Sequence, residues 1–66
     1  MLIMRISMLS GAVNEMDLDI TPAQLESYEL FGVLLQDAFP NLNPAEREFI
    51  KSGITPKEWY DTFGEG

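Results

Sequence analysis

The sequence predicts an α+β fold: an N-terminal antiparallel β-hairpin followed by three or four short helices packed on its apolar face. Three observations predict it. Two stretches near the N-terminus alternate apolar and polar residues, the period of half-buried strands. Three later sites carry a helix-start signature: Thr21-Pro22-Ala23-Gln24, Asn43-Pro44-Ala45-Glu46 and Thr55-Pro56-Lys57-Glu58. The length of 66 residues then bounds the whole, residues 1–66, to one small domain.

The hairpin is expected over residues 2–20. In the first strand Leu2, Met4, Ile6 and Met8 share one face, with Ile3, Arg5, Ser7 and Leu9 on the other. In the second, Met16, Leu18 and Ile20 share a face opposite Glu15, Asp17 and Asp19. Ser10-Gly11-Ala12 supplies the turn. A register that keeps both apolar rows together sets even positions opposite even positions. Ile6 then opposes Met16, Met4 opposes Leu18, and Arg5 opposes Asp17, or Asp19 after a shift of two.

Each helix start has a mechanism. The Thr or Asn side chain accepts from an orphan N–H of the first turn. Proline at the first helical position removes an N–H that has no partner there. The Gln or Glu reaches back to the cap residue's own N–H, closing a capping box. The first box opens residues 22–39, read as one helix or as two short helices broken at Gly32. Its apolar stripe is Leu25, Tyr28, Phe31, Leu35 and Ala38. The second box opens a helix over 44–52, closed by Gly53 in the left-handed conformation. The third opens a helix over 56–63, in which Ile54 is expected to staple to Trp59. Phe31, Phe49, Trp59 and Phe63 are accordingly expected in the core.

Composition narrows the function classes. With 11 acidic and 4 basic residues the net charge is −7. Phosphate-mediated nucleic-acid binding requires clustered Lys and Arg, so direct binding to DNA or RNA is not expected. Anionic membranes repel such a chain, whereas basic protein surfaces attract it. There is no cysteine and no histidine, which removes disulfides, Cys/His zinc sites and the usual general bases and thiol nucleophiles. Ser7, Ser10, Ser27 and Ser52 lack the context of an activated nucleophile. The acidic run Asn14-Glu15-Met16-Asp17-Leu18-Asp19 lacks the glycine and bidentate Glu of a calcium loop. The reading is a protein that is not an enzyme, with no cofactor and no metal. No apolar stretch has the length of a membrane span and no signal-peptide pattern is present, so a cytoplasmic location is expected.

Interaction is the remaining class. The candidate interface residues are Glu15, Asp17 and Asp19 on the acidic hairpin face, together with Tyr28 and Tyr60. Tyr60 neighbours Trp59 and points elsewhere on a short helix. Two strands alone leave open edges that pair with other strands. Edge pairing between copies is weighed evenly against coverage by the helices. Arg47 and Lys51 are i,i+4 neighbours and are weak candidates for contacting an anion, with pairing to nearby glutamates the plainer alternative.

Four segments resemble small uncharacterised proteins of bacteriophages and bacterial mobile elements. They are Asn14-Glu15-Met16-Asp17-Leu18, Leu35-Gln36-Asp37-Ala38-Phe39-Pro40, Glu46-Arg47-Glu48-Phe49-Ile50 and Gly53-Ile54-Thr55-Pro56-Lys57-Glu58-Trp59. The resemblance spans most of residues 14–59 and carries over no functional residue. It implies a phage or plasmid context in a bacterial host cell. The expected function is that of a non-enzymatic acidic interaction protein, binding a host protein or itself. Two alternatives are an acidic nucleic-acid mimic that inhibits a host defence or nucleic-acid-binding protein, and a small anionic-ligand binder at an oligomer interface.

Overall fold

The computed structural model describes residues 1–64 and is α+β. Strands β1 (Leu2–Ile6) and β2 (Val13–Asp17) form a two-stranded antiparallel sheet. Among the described residues four helices follow: α1 (Pro22–Glu29), α2 (Leu35–Ala38), α3 (Pro44–Ser52) and α4 (Pro56–Phe63). α3 lies against β1, and α1 packs on α2.

All three capping boxes close. The Gln24, Glu46 and Glu58 amides donate to the Thr21, Asn43 and Thr55 side chains at 3.2, 2.8 and 3.1 Å. Their side chains accept from the cap amides at 2.9, 3.0 and 3.3 Å. α3 ends at Gly53, whose φ of 76° is left-handed and whose N–H donates to the Phe49 carbonyl. Gly53 is needed for a second reason. A Cβ there would stand 2.5 Å from the Ile6 carbonyl oxygen, so only glycine lets the α3 terminus come this close to β1.

The hairpin register differs from the expected one. Ile3 opposes Met16, Arg5 opposes Asn14, and Ile6 opposes Val13. Odd positions of β1 thus face even positions of β2. The loop decides this parity: the Ser7 N–H donates to the Ala12 carbonyl at 2.8 Å, closing a loop with an even number of residues. Shifting by one residue turns every side chain of a strand over. Ile3 therefore enters the core with Met16 and Leu18, while Leu2, Met4 and Ile6 face solvent. Arg5 meets Glu29 of α1 instead of the acidic row of β2.

The inner row tolerates its polar members because each is bonded. Arg5 Nε donates to the Ile50 carbonyl at 3.3 Å. The buried Ser7 hydroxyl accepts from the Leu9 and Ser10 amides. Ser52, also buried, donates to the Glu48 carbonyl and accepts from the Ile54 amide. Unpaired, such groups would each cost roughly 1–3 kcal/mol.

The core is small: Ile3, Leu18, Ile20, Ala38, Phe39, Leu42, Phe49 and Ile50. Phe39 and Phe49 are its fully buried centre. Leu25, Tyr28 and Leu35 pack against it from the side. Phe31 does not join them; it is 74 % exposed. α1 stops at Glu29 and Gly32 takes a φ of 69°, so Phe31 falls out of helical phase with the stripe. Trp59 and Phe63 are also outside the core, at 51 % and 55 % exposed. α4 buries none of its side chains and packs extensively on no other element. The radius of gyration is accordingly large, 12.1 Å, against ~10.8 Å for a compact chain of this length.

Candidate interaction surface

The outer face of the hairpin carries Leu2, Met4 and Ile6 from β1 and Val13, Glu15 and Asp17 from β2. Met8 adjoins it in the turn. All five apolar side chains are more than half exposed. An apolar row with carboxylates along one side is therefore presented to solvent. The hairpin's odd-to-even pairing produces it, because Ile3 occupies the inward position that an even-to-even pairing would have given to Met4.

Backbone edges follow from the same register. Ser7 pairs with Ala12, and the Leu18 amide donates to the Met1 carbonyl. Antiparallel alternation then turns the N–H and C=O groups of Leu2, Met4 and Ile6, and of Val13, Glu15 and Asp17, to the outer edges. On β1 the far end of this edge is covered. The Met8 amide donates to the Ser52 carbonyl at 2.9 Å, and Gly53 lies against Ile6. β1 is the principal neighbour of β2, and no helix packs on it extensively.

The candidate interface residues fall in several places. Glu15 and Asp17 are exposed on the outer hairpin face. Asp17 pairs with the Met1 ammonium at 3.1 Å, and the same ammonium donates to the Leu18 carbonyl. Asp19 is exposed beyond the end of β2, where its carbonyl accepts from Asn41. Tyr28 is half-buried, edge-on to Phe39 with ring centroids 5.9 Å apart. Tyr60 is exposed on α4, away from the strands in sequence. Only Glu15 and Asp17 share a strand face.

A concave surface lies between α3 and α4. It is an open groove of about 600 Å³ lined by Pro44, Ala45 and Glu48 on one side and Ile54, Trp59 and Tyr60 on the other. The Trp59 and Phe63 rings meet at a tilt of 49°, with centroids 4.7 Å apart. Glu58 ties the start of α4 to the hairpin. Its carboxylate accepts from the Ser10 hydroxyl in the turn and from Asn14 Nδ2 of β2 at 2.7 Å, while Asn14 also donates to the Gly53 carbonyl at 2.9 Å. The Ser10 hydrogen bond holds the Glu58 carboxyl below the ordinary carboxylate range, with the Thr55, Ser7 and Asn14 bonds adding to it against partial desolvation.

Arg47 is committed to the chain itself. Its Nε donates to the Phe39 carbonyl at 3.0 Å and its Nη2 to the Pro40 carbonyl at 3.4 Å. The expected glutamate partner is thus replaced by carbonyls at the end of α2, which a guanidinium fork suits. Lys51 is exposed one turn further along α3. Among the described residues no cluster of three or more acidic, His or Cys side chains could hold a metal ion. No helix among them is long and apolar enough to cross a membrane.

No protein-family model, curated protein or solved structure matches this chain. The surface therefore has to be read from its own chemistry. Sequence patterning placed its carboxylates on the right strand but missed its apolar row. The signal for that row lay in the turn, where Ser7, Leu9 and Ser10 form a side-chain-to-backbone motif that sets loop length.

Proposed function

We propose that the protein is a non-enzymatic acidic interaction protein that binds a protein partner, or itself, through the outer face of its hairpin. One observation carries this: Leu2, Met4, Ile6 and Val13 form a contiguous solvent-facing apolar row beside Glu15 and Asp17. Apolar patches of this kind on small soluble proteins mark interaction sites. An apolar centre with a charged rim is the usual anatomy of a protein interface. The net charge of −7 adds long-range attraction toward basic partners. The resemblance to small phage and mobile-element proteins directs the search to proteins of a bacterial cytoplasm. A nucleic-acid mimic has less support, since it needs carboxylates over one continuous face and the hairpin row holds Glu15 and Asp17 alone.

Affinity capture with the full chain tests the reading. Wild type, Met4→Lys and Glu15→Lys are compared side by side, with circular dichroism as a check on folding. Met4→Lys is expected to abolish binding to the captured protein or to a second copy. Glu15→Lys is expected to weaken binding to a basic partner and alter its salt dependence. Binding that both folded variants retain at wild-type strength would overturn the proposal.

A further inference from the structure

The outer hairpin face has a size and a charge layout that fit a second copy of the same chain. Leu2, Met4, Ile6 and Val13 on this face and Met8 beside it in the turn are each more than half exposed and together present roughly 600 Å², the top of the range for the largest apolar patch on a monomer. Two such faces hold at most about 1,200 Å² to bury, the area at which stable interfaces begin, with Val13 at the rim contributing least. The chain has reason to use that area. Its core holds eight buried apolar residues among those described, and domains this small are marginal without disulfides, metals or oligomerisation.

A two-fold interface must be self-complementary, and the two rows of the hairpin restrict how that is met. Sheets packed face to face can be related by an axis across the strands or by one along them. An axis across the strands lays β2 over its own copy, so that Glu15 faces Glu15. Directly opposed like charges are destabilising. An axis along β1 lays the apolar row over itself, Leu2 on Leu2 and Met4 on Met4. The two β2 strands then lie on opposite rims, and Glu15 and Asp17 stay in water. We propose that the protein forms a homodimer by this second arrangement, with the β1 strands of the two copies running parallel across the interface. The proposal deepens the interaction reading above by naming the partner of the same face.

The expected salt response separates it from binding to a basic protein. Each copy carries a charge of −7, so added salt screens repulsion and tightens the dimer, whereas it weakens an acidic–basic pair. Sedimentation velocity on the full chain, across protein and salt concentration, is expected to give a dimer favoured by salt. Met4→Lys and, independently, Met4→Gln should shift the population to monomer, with an unchanged circular dichroism spectrum.

Geometry is tested with single cysteines in this cysteine-free chain. Packed sheets hold their backbones ~10 Å apart, too far for a disulfide, so a short bis-maleimide is used. Met4→Cys is expected to cross-link rapidly and Glu15→Cys slowly. Equal or reversed rates would overturn the parallel arrangement. A strict monomer at all concentrations would overturn the homodimer. If that monomer still captured a protein in a Met4-dependent way, the interaction reading would survive; if it did not, both would fall.

Discussion

Gly53 shows how one position can serve two constraints. Its backbone is left-handed at φ 76°, and its missing side chain lets Ile6 approach. Gly11 has nearly the same φ, 78°, but open space around it. Gly11→Ala should therefore cost about 1 kcal/mol from backbone strain alone. Gly53→Ala should cost clearly more, because β1 and α3 must also separate; equal losses in urea unfolding would refute the close approach. Glu58 is a second residue with a measurable signature. Its carboxyl lies below the ordinary carboxylate range in the folded chain, chiefly through the Ser10 hydroxyl. Its contribution is complete above the ordinary carboxylate value and is lost as pH falls through the depressed one. An acid titration followed by the Asn14 side-chain amide resonance should show that loss, and Glu58→Gln should remove the transition.

At the scale of elements, the helix starts were legible in the sequence and the helix faces were less so. A capping box needs four consecutive residues, and all three boxes close as their sequences require. Phe31, Trp59 and Phe63 stand outside the expected core, because burial depends on what lies opposite a residue. Phe31 lost its phase when α1 ended at Glu29, and Trp59 and Phe63 lie on α4, which buries none of its side chains. α4 consequently depends on its cap and on the Glu58 bonds more than on packing. Thr55→Ala should remove ~0.5–2 kcal/mol, concentrated in α4. Hydrogen exchange should accelerate in residues 56–63 while the Phe49 and Ile50 amides keep their protection. A uniform acceleration across the chain would show instead that α4 unfolds only with the core.

For the whole molecule, the decisive event is the parity of a short loop. The sequence by itself determined the α+β class, the helix starts, the acidic balance and the carboxylate row of β2. Each of these rests on local chemistry or on composition, which are complete in the chain. Only the tertiary structure decided which face of β1 is buried. Both faces of that strand contain apolar residues, and Arg5 and Ser7 lose little on turning inward once Ile50, Glu29 and the turn amides receive them. The choice then falls to contacts that reach outside the strand, through the turn and across to α3. Ser7 pairs with Ala12, Met8 with Ser52, and Gly53 settles against Ile6. These contacts join residues up to about fifty positions apart, and hydrophobic alternation within one strand carries no information about them. They leave Leu2, Met4 and Ile6 facing outward, and with them the surface from which the function is inferred.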